Sequence, residues 1–232
     1  MENLEPVADS WQSSFQEIGT PLHSTTFVVL DLETSGGAPH LGAGITEIGA
    51  VKIRSGEVID TFSTLVNPGH PIPSYITTLT GIDDALVNDC PPIEHVLEDL
   101  LNFLGPVDNV FVAQNAPFDL SFLKAALSLH GHKWPAYRVL DTAILARRAL
   151  SRDEAPNCKL ATLAEIFGTE IKPNHRALDD AQATVDVLHG LFERLAGFDV
   201  YTVEEAMSFS APNKSQLKKS QSREKPSGVE GL

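Results

Sequence analysis

Thr26-Phe27-Val28-Val29-Leu30 is an uncharged, partly β-branched run that ends on Asp31-Leu32-Glu33. Such a run is stable as a strand buried on both faces. Side chains two apart on a strand share a side, so Asp31 and Glu33 project together from its end. The two carboxylates repel, and no Lys or Arg precedes Lys52 to offset them. The pairing is costly unless a cation joins them or water solvates both. A fold that buries this run must therefore bring it to an edge where charge is tolerated.

The pattern downstream supplies the rest of such a fold. Ser35 to Gly44 is Gly-rich and predicts a loop, with Ile45–Ile53 and Val58–Val66 as strands joined by a hairpin turn at Arg54-Ser55-Gly56-Glu57. The Pro-rich segment Asn67–Pro73 closes this part of the sheet. Ile93, Val96, Leu97, Leu100, Leu101 and Leu104 recur at helical spacing, which predicts a helix over 92–104. Val110–Ala113 and Tyr137–Leu140 predict short strands, with helices over 117–129, from 141 to Leu150, 160–167 and 179–195. This order predicts an α/β layer structure with a five-stranded mixed sheet flanked by helices. Residues 1–24 predict a loosely held arm, 25–197 one catalytic domain, and 198–232 an extension serving as a disordered tail or linker.

Composition narrows the setting. A chain of 232 residues, 42% hydrophobic and 21% charged, suffices for one sizeable core. Cys90 and Cys158 have no metal-ligand spacing, the N-terminus lacks a signal-peptide pattern, and no apolar run reaches membrane-spanning length. These features predict a cytoplasmic protein without a membrane partner. The net charge of −14 disfavours nucleic acid at first sight. Yet nine Lys and Arg residues fall between positions 124 and 176 inclusive, and bound metals would neutralise an acidic pocket.

Two further clusters accompany the first. Asn115-Ala116-Pro117-Phe118-Asp119 opens a helix after a buried strand, and His175-Arg176-Ala177-Leu178-Asp179-Asp180 opens the last long helix. Helix capping and the helix dipole alone account for Asn115, Asp119 and one of Asp179 and Asp180. An isolated His175 is an ordinary surface residue, although an unperturbed pKa of roughly 6.5 also suits a water-activating base. Jointly, four acids and a base match what two cations about 3.5–4 Å apart require to cleave a phosphodiester.

The three clusters resemble the motifs of the DnaQ-like exonucleases of the DEDDh group, which includes the proofreading epsilon subunit of bacterial DNA polymerase III. Asp31-Leu32-Glu33-Thr34 matches the first motif, Asn115 to Asp119 the second, and His175 with Asp180 the third; Ile45 to Ala50 and Leu79-Thr80-Gly81-Ile82 extend the likeness over roughly residues 24–196. The resemblance implies a ribonuclease H-like fold and removal of nucleotides from 3′ ends. It implies that Asp31, Glu33 and Asp180 hold one of two divalent ions, Mg²⁺ or Mn²⁺. Asp31 and Asp119 would serve the second, and His175 would be the general base. Thr34, Leu79, Thr80, Asn115 and Phe118 would contact substrate. The implied partners are single-stranded or frayed 3′ ends of DNA, with RNA ends or short oligoribonucleotides as the alternative, and a polymerase or fused nuclease region.

Other readings fare worse. A haloacid-dehalogenase-type phosphatase ordinarily has Asp where Glu33 stands and leaves His175 without a role. A ribonuclease H-like scaffold that binds without cutting would have lost ligands, and none is missing. The Gly-rich loop is followed by no Gly-Lys-Thr or Gly-Lys-Ser, which excludes a P-loop. Asp141 fits a helix cap, and Arg176 fits either a phosphate contact or a surface cation.

Overall fold

A computed structural model describes residues 19–211. Strands β1 (Thr26–Thr34), β2 (Ile45–Arg54), β3 (Glu57–Leu65), β4 (Val110–Ala113) and β5 (Arg138–Asp141) form one sheet in the order β3-β2-β1-β4-β5. β1, β2 and β3 are antiparallel neighbours, while β4 and β5 run parallel to β1. The β2–β3 turn has positive φ at both Ser55 (54°) and Gly56 (81°), the conformation that matches strand twist in a two-residue hairpin. The helices are α1 (Ser74–Thr80), α2 (Asp84–Val87), α3 (Ile93–Leu104), α4 (Ala116–Leu129), α5 (Thr142–Ala149), α6 (Leu160–Phe167), α7 (Ala177–Ala196) and α8 (Val203–Ser210).

Strand periodicity divides the core between two faces. Phe27, Val29, Val51, Ile53, Val110 and Val112 pack with Leu145, Leu163, Leu188 and Val203, from α5, α6, α7 and α8. Val28, Leu30, Ile48, Ala50 and Phe111 face the other way, onto Val96, Leu100, Phe122 and Leu123 of α3 and α4. Each fully buried Leu, Ile or Phe contributes about 1.5–3 kcal/mol relative to exposure, so both layers are needed to hold the sheet. Asp31 and Glu33 continue the odd-numbered face of β1, beneath α7.

Gly49 sets how closely α7 approaches. It is paired with Asp31 across the ladder, and a Cβ placed on it would lie 2.1 Å from the carbonyl carbon of Ala177. Only hydrogen fits, so the backbone at the start of α7 rests directly on β2. That contact draws the start of the helix over the acidic end of β1.

Three helices differ from the sequence expectation. α1 and α2 fall between the Pro-rich segment and α3, where no element was expected, and are held by a small cluster of Ile72, Ile76, Ile82 and Val87. α8 lies beyond the boundary placed at residue 197, so the expectation of a tail or linker from 198 fails for residues 198–211. Val200, Val203 and Ala206 are buried in the main core, and Thr202 with Glu205 forms a capping box. Likewise the expected arm reaches only part of its range. Pro21 bridges Thr202, and the Thr20 N–H donates to Glu204 Oε2 at 2.7 Å, tying residues 20–21 to α8. The remainder of the expected arm and tail, 1–18 and 212–232, lies outside the described residues. Among the described residues no helix is long and apolar enough to cross a membrane.

Candidate active site

The parallel pairing of β1 and β4 puts their carboxyl ends at the same sheet edge. α4 begins three residues after β4, and its first turn carries Asp119 to that edge. α7 opens there too, and its first turn carries Asp180. A pocket of about 520 Å³ at this edge is lined by Asp31, Glu33, Asp119, His175 and Asp180, with Thr34, Leu79, Thr80 and Phe118 around them. Ligating atoms of Glu33, His175 and Asp180 all lie within 4.8 Å of one another. Four of the five expected substrate-contact residues thus line the pocket. Asn115 does not: it is exposed, has φ of 65°, and its side chain caps nothing. Its backbone N–H instead donates to Asp141 Oδ1 at 3.2 Å.

The electrostatics are those of crowded acids in a poorly solvated place. Burial, then the nearby charges of Asp119, Glu33 and Asp180, holds the Asp31 carboxyl well above the usual range. Burial, then Asp180 and Glu47, raises Glu33 to about 8, against a lowering pull from Arg176. Burial raises Asp119 to about 8 although the N–H groups of Leu32 and Asp119 itself favour its charged form. Asp180 is also raised by burial, opposed by the Asn174 N–H and His175. Raised to about 8, Glu33 and Asp119 hold protons near neutral pH unless a cation displaces them. The donor set of clustered carboxylate oxygens and one imidazole fits a divalent ion.

Neighbouring residues fix the register of the third cluster. The Asn174 N–H donates to Asp180 Oδ1 at 2.9 Å, while Asn174 Nδ2 donates to Asp179 Oδ2 at 2.7 Å. Asp180 lines the pocket and Asp179 does not. Between them and the loop, His175 adopts φ of 62°, a left-handed conformation that costs a non-glycine residue about 1–2 kcal/mol. Asp141 caps α5, accepting from the N–H groups of Ala143 and Ile144.

The pocket also contains residues that sequence reasoning passed over. Tyr75 of α1 is one; with the expected Leu79 it lines the pocket, the two side chains being 65% and 51% exposed, and together they give it an apolar rim. Gln114 lines it as well, donating from Nε2 to the Cys158 carbonyl at 2.6 Å. Thr80 is present but buried, donating its hydroxyl to the Ile76 carbonyl and accepting from the Ile82 N–H. Arg176 is not a free surface cation; it pairs with the buried Glu47. An exposed tyrosine gives no periodic signal, and Glu47 gives none that distinguishes it from an ordinary strand residue.

A five-stranded mixed sheet flanked by helices, with acids and a histidine gathered at one edge, defines a ribonuclease H-like nuclease fold. Residues 28–188 match the RNase T exonuclease family, and the chain belongs to that family, as an exonuclease domain of the DnaQ-like, DEDDh type. It is 50% identical over 203 residues to a Mycobacterium tuberculosis protein named as a bifunctional exonuclease/endonuclease, covering 85% of this chain and 31% of that one. It is 42% identical over 193 residues to a PolC-type DNA polymerase III of Caldanaerobacter subterraneus, covering 83% of this chain and 13% of that one. The chain therefore spans a third or less of these relatives' lengths. Among solved structures, exonuclease X in complex with 5′ overhanging duplex DNA superposes with a TM-score of 0.61 at 25% identity, over 80% of this chain and 99% of that one.

Proposed function

We propose that this domain hydrolyses nucleotides one at a time from the 3′ ends of DNA. The observation that carries the reading is the gathering of Glu33, His175 and Asp180 within 4.8 Å, in one pocket with Asp31 and Asp119. Asp31, Glu33, Asp119 and Asp180 would hold two divalent ions, Mg²⁺ or Mn²⁺. When bound, such ions supply Lewis-acid stabilisation of phosphodiester charge. His175 accepts the proton of the attacking water as its oxygen bonds to phosphorus. The bond from phosphorus to the adjoining 3′ oxygen breaks, a nucleoside 5′-monophosphate leaves, and the shortened strand keeps a new 3′-hydroxyl.

The apolar rim of Tyr75, Leu79 and Phe118 favours unpaired ends, because exposed bases stack on such surfaces and paired bases do not. Thr34 sits beside the acids, its hydroxyl donating to the Gly36 carbonyl at 2.8 Å, and leaves the backbone of this turn to meet the terminal sugar. The greater length of the relatives supports a setting in which this module works beside a polymerase or a second nuclease.

The test is incubation of the purified chain with single-stranded DNA labelled at either end, and with matched RNA, in Mn²⁺, Mg²⁺ or EDTA. The expected result is stepwise loss from the 3′ end of DNA only when metal is present. Persistence of both DNA and RNA in metal would overturn the assignment, and faster loss of RNA would move the substrate to RNA.

A further inference from the structure

Glu47 is a third acid on the pocket side of the sheet, opposite Glu33 in the β1–β2 ladder. Like charges directly across a ladder are unfavourable, and the side chain of Glu47 is only 4% exposed. Its charge is met from 129 residues away. Arg176 donates to it twice, Nε to Oε2 at 3.1 Å and Nη2 to Oε1 at 2.7 Å, and the Ala177 N–H donates to Oε2 at 2.9 Å. This is a two-pronged guanidinium–carboxylate pair with a backbone donor added, a geometry that fixes orientation as well as distance.

The two residues bound to Glu47 immediately follow His175. On the other side of His175, Asn174 is tied to Asp179 and Asp180, and its Oδ1 accepts from the Arg176 N–H at 3.0 Å. His175 itself is exposed and left-handed, so packing gives its ring little support. A strained conformation persists only where its surroundings over-determine it. Here the restraint comes from the flanking backbone, with Glu47 as the anchor in the sheet.

We propose that Glu47 and Arg176 form a latch that positions the His175 turn for proton transfer, and are positioning residues rather than metal ligands. The inference rests on the role proposed above for His175. Because Gly49 lets the helix start lie against β2, the latch is short and stiff, and it ties the histidine to the same strand pair that carries Asp31 and Glu33.

The experiment compares Glu47→Gln, Arg176→Gln and the double variant in the full chain. Steady-state kinetics run with Mn²⁺ on single-stranded DNA, alongside Mn²⁺ titration calorimetry and hydrogen exchange. Each single variant is expected to lower kcat by about tenfold or more, with KM and Mn²⁺ affinity within about twofold. The double variant should lose no more than the worse single one. Amide exchange should accelerate over residues 174–177 while residues 28–32 stay protected. Unchanged kcat, losses that multiply, a loss confined to Mn²⁺ affinity, or uniform acceleration across the chain would each overturn the latch. If the unaltered chain proves inactive on nucleic acid, the proposed function has failed; faster exchange at 174–177 alone then still supports the latch as a restraint on the turn, and unchanged exchange there overturns it.

Discussion

The two sides of the site are held in opposite ways. Asp31 and Glu33 belong to a central strand, flanked by Leu30 and Leu32 in the core and paired residue by residue with β2. His175 sits on an exposed left-handed turn, placed by hydrogen bonds of its neighbours rather than by its own burial. The carboxylates are thus rigid and electrostatically strained, while the histidine is conformationally strained and open to solvent. A paired strand holds two of the mutually repelling acids in place, and the first turns of α4 and α7 hold Asp119 and Asp180 against them. The exposure of His175 suits the proton-accepting role proposed for it, since such a group needs access to water.

Substitutions break this contrast in order of size. Asp31→Ala should abolish metal-dependent shortening, a loss of at least about a thousandfold, because several kcal/mol of metal-derived stabilisation disappear. Circular dichroism should show an intact fold. His175→Ala should lower kcat by ~10²–10⁴-fold while Mn²⁺ affinity by calorimetry barely changes, since the four carboxylates proposed to hold the ions all remain. Retained activity within threefold would assign the proton to another base. Asp180→Asn should reduce turnover far more than Asp179→Asn, whose side chain is held outside the pocket by Asn174; the reverse order would shift the third motif by one residue.

The strain on the carboxylate side has its own signature. Glu33 and Asp119 are raised to about 8 in the folded, metal-free chain and return to ordinary carboxylate values on unfolding. Between those values the folded state binds more protons, so stability must fall as pH rises. In EDTA the Tm should be highest near pH 4–5 and decline toward pH 8, and saturating Mg²⁺ should remove most of the decline. A metal-free Tm independent of pH over this range would show that the acids are not strained. Smallest in effect, Tyr75→Ala should raise KM for single-stranded DNA by roughly three- to tenfold through lost base stacking, with kcat little changed. Tyr75→Phe should restore it.

Much of the fold was legible because its signals are local. β1 follows from an unbroken apolar run, β2 and β3 from two runs joined by a hairpin turn, and α3 from a period of 3.6 residues; α6 stops at Gly168, whose φ of 65° suits a left-handed helix end. α1 escaped notice because Ser74-Tyr75-Ile76-Thr77-Thr78-Leu79-Thr80 is short and poor in helix formers, and it is held by Ile76 in a small tertiary cluster. α8 did carry a local signal, the capping-box pattern Thr202-Val203-Glu204-Glu205, but its apolar side has no meaning until a core exists to receive it.

The sequence alone singled out the candidate residues for the chemistry and placed the acids and the histidine at the end of a strand or the start of a helix. Such placement depends on neighbours a few positions away. Tertiary structure decided that the three clusters share one edge, that Tyr75 and Leu79 rim the pocket, and that Glu47 and Arg176 meet. Those outcomes depend on strand direction and on a backbone contact at Gly49, between segments far apart in the sequence, where no local preference reaches.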